Sequence, residues 1–136
     1  MNIKDEQAML AAGGGLAGQL REGTLVFLAG DLGAGKTTLV RGVLNAWGHV
    51  GSVKSPTYNL VEAYSINGQA VFHFDLYRLS DPEELEYMGI RDYLNEKSIC
   101  FVEWPEKGKG LLPSPDILVE IKINGSEREL LIYPPE

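Results

Sequence analysis

The chain has 136 residues, which suits one compact domain and leaves little room for a second. Hydrophobic residues make up 44% and charged residues 23%, an ordinary balance for a soluble globular protein that excludes extensive disorder. The net charge of −7 opposes independent binding to nucleic acid, where Lys and Arg must neutralise phosphates, but leaves docking onto a basic partner open.

The opening residues 1–7 lack the basic start and apolar stretch of a secretory signal. No apolar run approaches the ~20 residues needed to span a bilayer. A cytoplasmic location, with no membrane contact, is the resulting expectation. The single cysteine, Cys100, lies in the apolar run Ile99-Cys100-Phe101-Val102 and reads as core.

In chain order, Met9, Ala12, Leu16 and Leu20 recur at near-helical spacing, so a helix is expected over Asp5–Leu20 with Asp5 as its cap. Gly13-Gly14-Gly15 interrupts that pattern at about 1 kcal/mol per glycine relative to alanine. Such a helix is either frayed or closely packed against another backbone. Thr24–Ala29 is a continuous apolar strand of the kind buried on both faces. A glycine-rich loop follows, and then Lys36–Trp47 reads as a helix stopped by Gly48.

Two β-rich runs, Tyr58–Ile66 and Gln69–Phe74, flank Asn67-Gly68, a strong hairpin signal. Asp81 caps a further helix that has Pro82 at its first position and acids in the first turn. That helix runs to about Met88, breaks at Gly89 and resumes through Asp92–Leu94. Ser98–Glu103 is a second buried strand. After a proline-bearing loop, Ile117–Ile123 and Glu129–Tyr133 form a hairpin about Asn124-Gly125. Buried strands alternating with helices, plus two hairpins, describe an α/β domain with a mixed sheet and flanking helices.

The residues Gly30-Asp31-Leu32-Gly33-Ala34-Gly35-Lys36-Thr37 satisfy G-x-x-x-x-G-K-[ST] in full. The glycines let the backbone turn tightly and aim its N–H groups at phosphate oxygens. The helix starting near Lys36 directs its positive dipole end at the same anion. Lys36 is expected to bridge the β- and γ-phosphates, and the Thr37 hydroxyl to coordinate magnesium. A chance match in a chain of this length is on the order of one in a hundred. The strand before and the helix after reduce that further. The ligand expected is a nucleoside triphosphate, ATP with Mg2+.

Such a site needs a carboxylate at the end of a neighbouring strand. Two apolar runs end in an acid, at Asp75 and Glu103. Either acid alone could be a solvated strand end; together they suggest one on the metal and the other orienting water. Thr57, in Ser55-Pro56-Thr57, is either a sensor of magnesium and γ-phosphate or the start of a strand. Arg78 either meets developing phosphate charge or pairs with nearby acids, the commoner arrangement. His49 and His73 lack metal-site spacing and receive no role.

Several stretches coincide in order with one family. They are residues 30–38, Lys54-Ser55-Pro56-Thr57-Tyr58, His73-Phe74-Asp75-Leu76-Tyr77-Arg78, Asp81-Pro82-Glu83-Glu84-Leu85-Glu86, Gly89-Ile90-Arg91-Asp92-Tyr93 and Val102-Glu103-Trp104-Pro105. From about Leu25 to Pro113 the chain resembles the bacterial TsaE (YjeE) family, the ATPase component of the tRNA threonylcarbamoyladenosine machinery.

The resemblance implies a small P-loop NTPase fold and an ATPase that works with TsaD and TsaB, touching tRNA only through those partners. It implies nucleotide contacts from Asp31, Leu32, Gly33, Ala34, Gly35, Lys36, Thr37, Thr38 and Thr57. Thr37 and Glu103 would serve the metal, and Asp75 falls on the family's other essential acid. Trp104 is a family position, at the site, at a partner surface or in the core. Adenine contacts fall in the less matched ends and do not carry over.

Three rivals are weighed against this reading. A small-molecule kinase usually needs an arginine-rich lid and a second pocket, whereas the arginines here are scattered. A GTPase needs an Asn/Thr-Lys-x-Asp guanine reader, which is absent from the sequence. A non-catalytic, nucleotide-gated binding module lacks a reason for two strand-end acids.

Overall fold

The computed structural model describes residues 1–54, 56 and 59–134. Seven strands form one sheet: β1 (Asn2–Ile3), β2 (Leu25–Ala29), β3 (Val61–Ile66), β4 (Gln69–Asp75), β5 (Ile99–Glu103), β6 (Ile117–Asn124) and β7 (Glu127–Tyr133). The helices are α1 (Glu6–Ala17), α2 (Lys36–Ala46), α3 (Glu83–Met88) and α4 (Ile90–Tyr93), with a 3-10 turn at Pro105–Gly108. The strand order is β1-β7-β6-β2-β5-β4-β3. Strands β6, β2, β5 and β4 run parallel, while the hairpins β3–β4 and β6–β7 and the short β1 add antiparallel edges. This is the mixed-sheet α/β fold with two hairpins that the sequence leads one to expect.

The sheet is buried on both faces. Strand alternation sends Val26, Leu28, Val71, Ile99 and Phe101 into one core with α1 and α2, and Leu25, Phe74, Cys100 and Val102 into another with α3 and α4. Every residue of β5 is buried, which explains its uninterrupted apolar run. Burial pushes the Cys100 thiol up to about 12, and its Sγ–H donates to the Tyr93 carbonyl at 3.3 Å, so this thiol is an inert core group.

The triple glycine is explained by packing. Asp5 caps α1 by accepting the Ala8 N–H at 2.9 Å, and the helix continues through Gly13-Gly14-Gly15 to Ala17. A Cβ on Gly13 would lie 2.3 Å from the Leu39 carbonyl oxygen, and one on Gly42 would lie 2.3 Å from that of Leu10. The α1 and α2 backbones are therefore in contact, and any side chain at either position would force them apart. Gly15 faces open space.

Elsewhere the structure shifts several expected boundaries. Asn67 and Gly68 both have positive φ, 54° and 81°, as a two-residue hairpin turn of this kind requires. The second hairpin turns on Gly125-Ser126 instead of Asn124-Gly125, because Asn124 pairs with Glu127. That register keeps buried Ile121 opposite buried Leu130; the expected turn would have set Ile121 against Arg128. Helix α3 starts at Glu83, with Pro82 at the cap position instead of Asp81 and not at the first helical position; Asp81, one residue further out, still accepts the Glu83 N–H at 3.0 Å. Helix α4 resumes at Ile90, directly after Gly89, and not at Asp92. Strand β1, where the Met1 ammonium donates to the Leu130 carbonyl at 3.0 Å, was not expected at all.

The two helical glycines make opposite demands, which melting temperatures can separate. Gly13→Ala should cost roughly 1–3 kcal/mol or more and lower Tm by several degrees through overpacking. Gly15→Ala should leave Tm unchanged or raise it, since alanine favours a helix by up to about 1 kcal/mol. Equal shifts in thermal melts would refute the backbone-contact explanation.

Candidate functional site

The carboxyl ends of the parallel strands lie level. Register pairs Leu28 of β2 with Glu103 of β5, and Glu103 with Asp75 of β4. The chain leaves β2 at Ala29 between β5 on one side and β6 on the other, the kind of switch point where open α/β sheets bind ligands. Residues 30–35 form the connection to α2, with the Asp31 carbonyl accepting the Ala34 N–H at 3.0 Å. Gly35 enters the helix at φ 112°, a conformation that disfavours a side chain. The first turn of α2, whose N–H groups have no intrahelical partners, places Lys36, Thr37 and Thr38 at this end of the sheet.

An open cleft of about 320 Å³ is lined by residues 32–38 together with Asp75, Glu103 and Trp104. It therefore gathers most of the residues singled out in the sequence. Asp31 lies on the exposed crest of the loop, outside this lining, and Arg78 is exposed and likewise does not line it. Thr57 lies outside the described residues. Leu32 is 61% exposed at the loop's tip.

Lys36 is buried at the floor of the cleft. Its Nζ donates to the Gly30 carbonyl at 2.5 Å and sits 3.8 Å from the centre of the Trp104 ring. Burial lowers its pKa from the usual lysine value, against the opposing pull of Glu103, Asp75, Glu106 and Asp31. Trp104 has φ 57° and ψ 50°, a left-handed backbone that costs about 1–3 kcal/mol for a residue with a side chain. Pro105 follows and opens the 3-10 turn, and Tyr77 packs against the indole with ring centres 5.0 Å apart. Trp104 is thus a wall of the cleft.

Glu103 is only 3% exposed and is the site's innermost carboxylate. Its Oε2 accepts the Thr37 hydroxyl at 2.8 Å and lies 2.6 Å from His73 Nε2. Asp75 sits nearer the rim, where its Oδ1 accepts the Tyr77 N–H at 3.0 Å. The two acids occupy different environments, one buried and doubly bonded, the other half-buried at a turn.

Two residues of this site were not assigned to it from the sequence. His73 opens one of the matched stretches but received no role for want of metal-site spacing; its partner lies on another strand, 30 positions away. Arg128, on β7, donates from Nε to the Ala34 carbonyl and from Nη2 to the Gly33 carbonyl, both at 3.2 Å. By holding these two carbonyls it turns the opposite, N–H sides of their peptides away from β7. Beside it a second cleft of about 200 Å³ shares Gly33, Ala34, Gly35 and Thr38 with the first, and its outer wall comes from residues 3–6, Met9, Ser126 and Arg128.

The sheet order, the glycine loop at the β2–α2 junction and the strand-end acid bonded to Thr37 together define a P-loop NTPase fold. The family described as "Threonylcarbamoyl adenosine biosynthesis protein TsaE" matches residues 3–130, so the chain belongs to the TsaE family. Among its relatives, the "tRNA threonylcarbamoyladenosine biosynthesis protein TsaE" of Haemophilus influenzae is 56% identical over 133 residues, covering 94% of this chain and 84% of that protein. The protein of the same name in Bacillus subtilis is 35% identical over 111 residues, covering 81% and 69%. The crystal structure of Bacillus subtilis YdiB superposes with a TM-score of 0.83 at 25% identity, covering all of this chain and 84% of the other.

The Arg128 contacts can be tested without any ligand. Hydrogen bonds from a charged donor are worth about 1.5–3 kcal/mol when buried and less at this half-exposed position. Arg128→Ala should accordingly speed amide exchange at Ala34 by on the order of tenfold. Exchange unchanged by the substitution would mean that the loop holds itself.

Proposed function

We propose that the protein is a magnesium-dependent ATPase that serves threonylcarbamoyladenosine modification of tRNA together with TsaD and TsaB. The observation that carries the catalytic half of this reading is the Thr37–Glu103 hydrogen bond inside the cleft that the glycine loop lines. A hydroxyl has one proton to donate and two lone pairs. Thr37 can therefore give its proton to Glu103 and still offer oxygen to a cation. The donor set is all oxygen, which suits Mg2+, an ion typically held by one or two protein ligands plus phosphates and water.

In this reading the loop amides of residues 32–38 cradle the phosphates, and Lys36 leaves Gly30 and the Trp104 ring to neutralise the β- and γ-phosphates. The bound cation would neutralise charge developing on the transferred phosphoryl group. Thr37 and Glu103 hold it, and Asp75, at the rim and register partner of Glu103, orients the attacking water. The nucleoside end falls to the neighbouring cleft, whose outer wall comes from residues 3–6, Met9, Ser126 and Arg128. The absence of a guanine-reading motif favours ATP over GTP.

The pathway half rests on family membership and on the printed names of the relatives. The net charge of −7 suits a subunit that acts on protein partners while they hold the tRNA. Such a role places the protein in the cytoplasm. No helix among the described residues is long and apolar enough to cross a membrane.

ATP binding and turnover, measured with and without TsaB and TsaD, test both halves. Lys36→Ala should abolish tight ATP binding with little change in Tm. Glu103→Ala should still bind ATP but lose turnover by on the order of a hundredfold, the scale of one preorganised electrostatic group. Undiminished ATP affinity in Lys36→Ala would remove the phosphate-loop reading. Partners that neither bind the chain nor change its turnover would remove the pathway reading.

A further inference from the structure

His73 is completely buried, on the face of β4 that turns toward α1 and α2. Its counterparts on that face, Val71 and Phe101, are apolar, and an apolar side chain at 73 would fill the same space without burying a polar ring. The imidazole has one partner among the described residues, Glu103 Oε2 at 2.6 Å, while Nδ1 has none. An ionised carboxylate only accepts hydrogen bonds. Against an ionised Glu103, Nε2–H is therefore the donor of this bond.

Thr37 and His73 reach the same oxygen of Glu103 from different elements. Thr37 comes from the first turn of α2, which moves with the glycine loop; His73 comes from the middle of the sheet. Neither bond uses Oε1. One oxygen is thus tied down from two directions and the other is left unengaged by them. A Glu side chain has three rotatable bonds, whose freedom is lost when it is ordered. Here that ordering is already in place.

We propose that His73 is a positioning residue for the divalent cation: its Nε2–H fixes the Glu103 carboxylate from the sheet side, so that the acid is set for the metal before nucleotide arrives. This assignment rests on the reading of Glu103 and Thr37 as the metal-side groups. The fixed partner is His73, because Thr37 must also turn a lone pair toward the cation, whereas the histidine has no other task. Partners that orient a metal-binding side chain typically matter by 10–100-fold in metal affinity or activity.

The test measures Mn2+ affinity by electron paramagnetic resonance titration of the full chain with saturating ADP, alongside ADP affinity without metal. The variants are His73→Gln, whose amide nitrogen reaches about as far as Nε2, His73→Asn, which is too short, and His73→Leu, which has no donor. Thermal melts establish that each is folded. Gln should hold Mn2+ within about threefold of wild type, while Asn and Leu should bind it 10–100-fold more weakly. Metal-free ADP affinity should be unchanged in all three.

Equal Mn2+ affinity in the folded Gln, Asn and Leu variants would overturn the proposal and make His73 a core residue. Should one of Asn and Leu prevent folding, the other is compared with Gln, and a tenfold loss in a folded Gln protein overturns the assignment. If wild type takes up no Mn2+ with ADP, or Lys36→Ala takes it up equally well, the nucleotide reading itself has failed and this proposal falls with it.

Discussion

The parallel pairing of β2, β5 and β4 is the constraint from which the rest of the site follows. Because Leu28, Glu103 and Asp75 lie level across three strands, the phosphate-type loop, the buried acid and the rim acid emerge at one edge of the sheet. A slip of one residue along β5 would turn Glu103 to the opposite face, toward α3 and α4. The apolar residues prevent that slip. Ile99 and Phe101 belong to one core, Cys100 and Val102 to the other, so register is determined by burial on both faces.

The contact between α1 and α2 extends this control to the loop. Helix α2 begins at the cleft with Lys36 and Thr37, so any displacement of its axis moves both side chains. Backbone contact through Gly13 and Gly42 leaves little freedom for such movement, since close-packed backbones have no rotamers with which to adjust. Arg128 holds the loop from the other flank. A flexible sequence of glycines thereby becomes a loop of defined shape, set by a helix on one side and an edge strand on the other.

Features whose physics is local could be read from the sequence. The Asn67-Gly68 turn, the Asp5 cap, the buried strands β2 and β5 and the glycine loop each depend on residues close in the chain. Other features depended on partners far away. Gly13 reads as a helix breaker until α2 lies against it, and β1 is too short for any periodicity. Arg128 reaches Gly33 across 95 positions and His73 reaches Glu103 across 30, so neither has a spacing that a motif could encode. The displaced turn at Gly125-Ser126 belongs to the same class: Asn-Gly is a good local turn, but the burial of Ile121 and Leu130 outweighed it. Asp75 and Glu103 stood between these classes, visible as strand-end acids but separable into rim and interior only by the fold.

Four unfavourable local features of the described chain gather around one cleft. Lys36 is desolvated, Trp104 holds a left-handed backbone, His73 keeps an unpaired ring nitrogen, and Glu103 is a carboxylate in the interior. Each is costly alone, and a sequence selected only for stability would replace them. They are linked by contact: Trp104 lies against Lys36, and Glu103 bridges Thr37 and His73. Such clustering is the expected mark of a site organised for a ligand. An anion at the loop would relieve the main cost by giving Lys36 a partner stronger than a carbonyl and an indole face. In the proposed reading the same anion would complete the oxygen donors of a cation beside Thr37 and Glu103. Binding and relief of local strain would then be one event, through which occupancy of the cleft could alter the shape of a small domain.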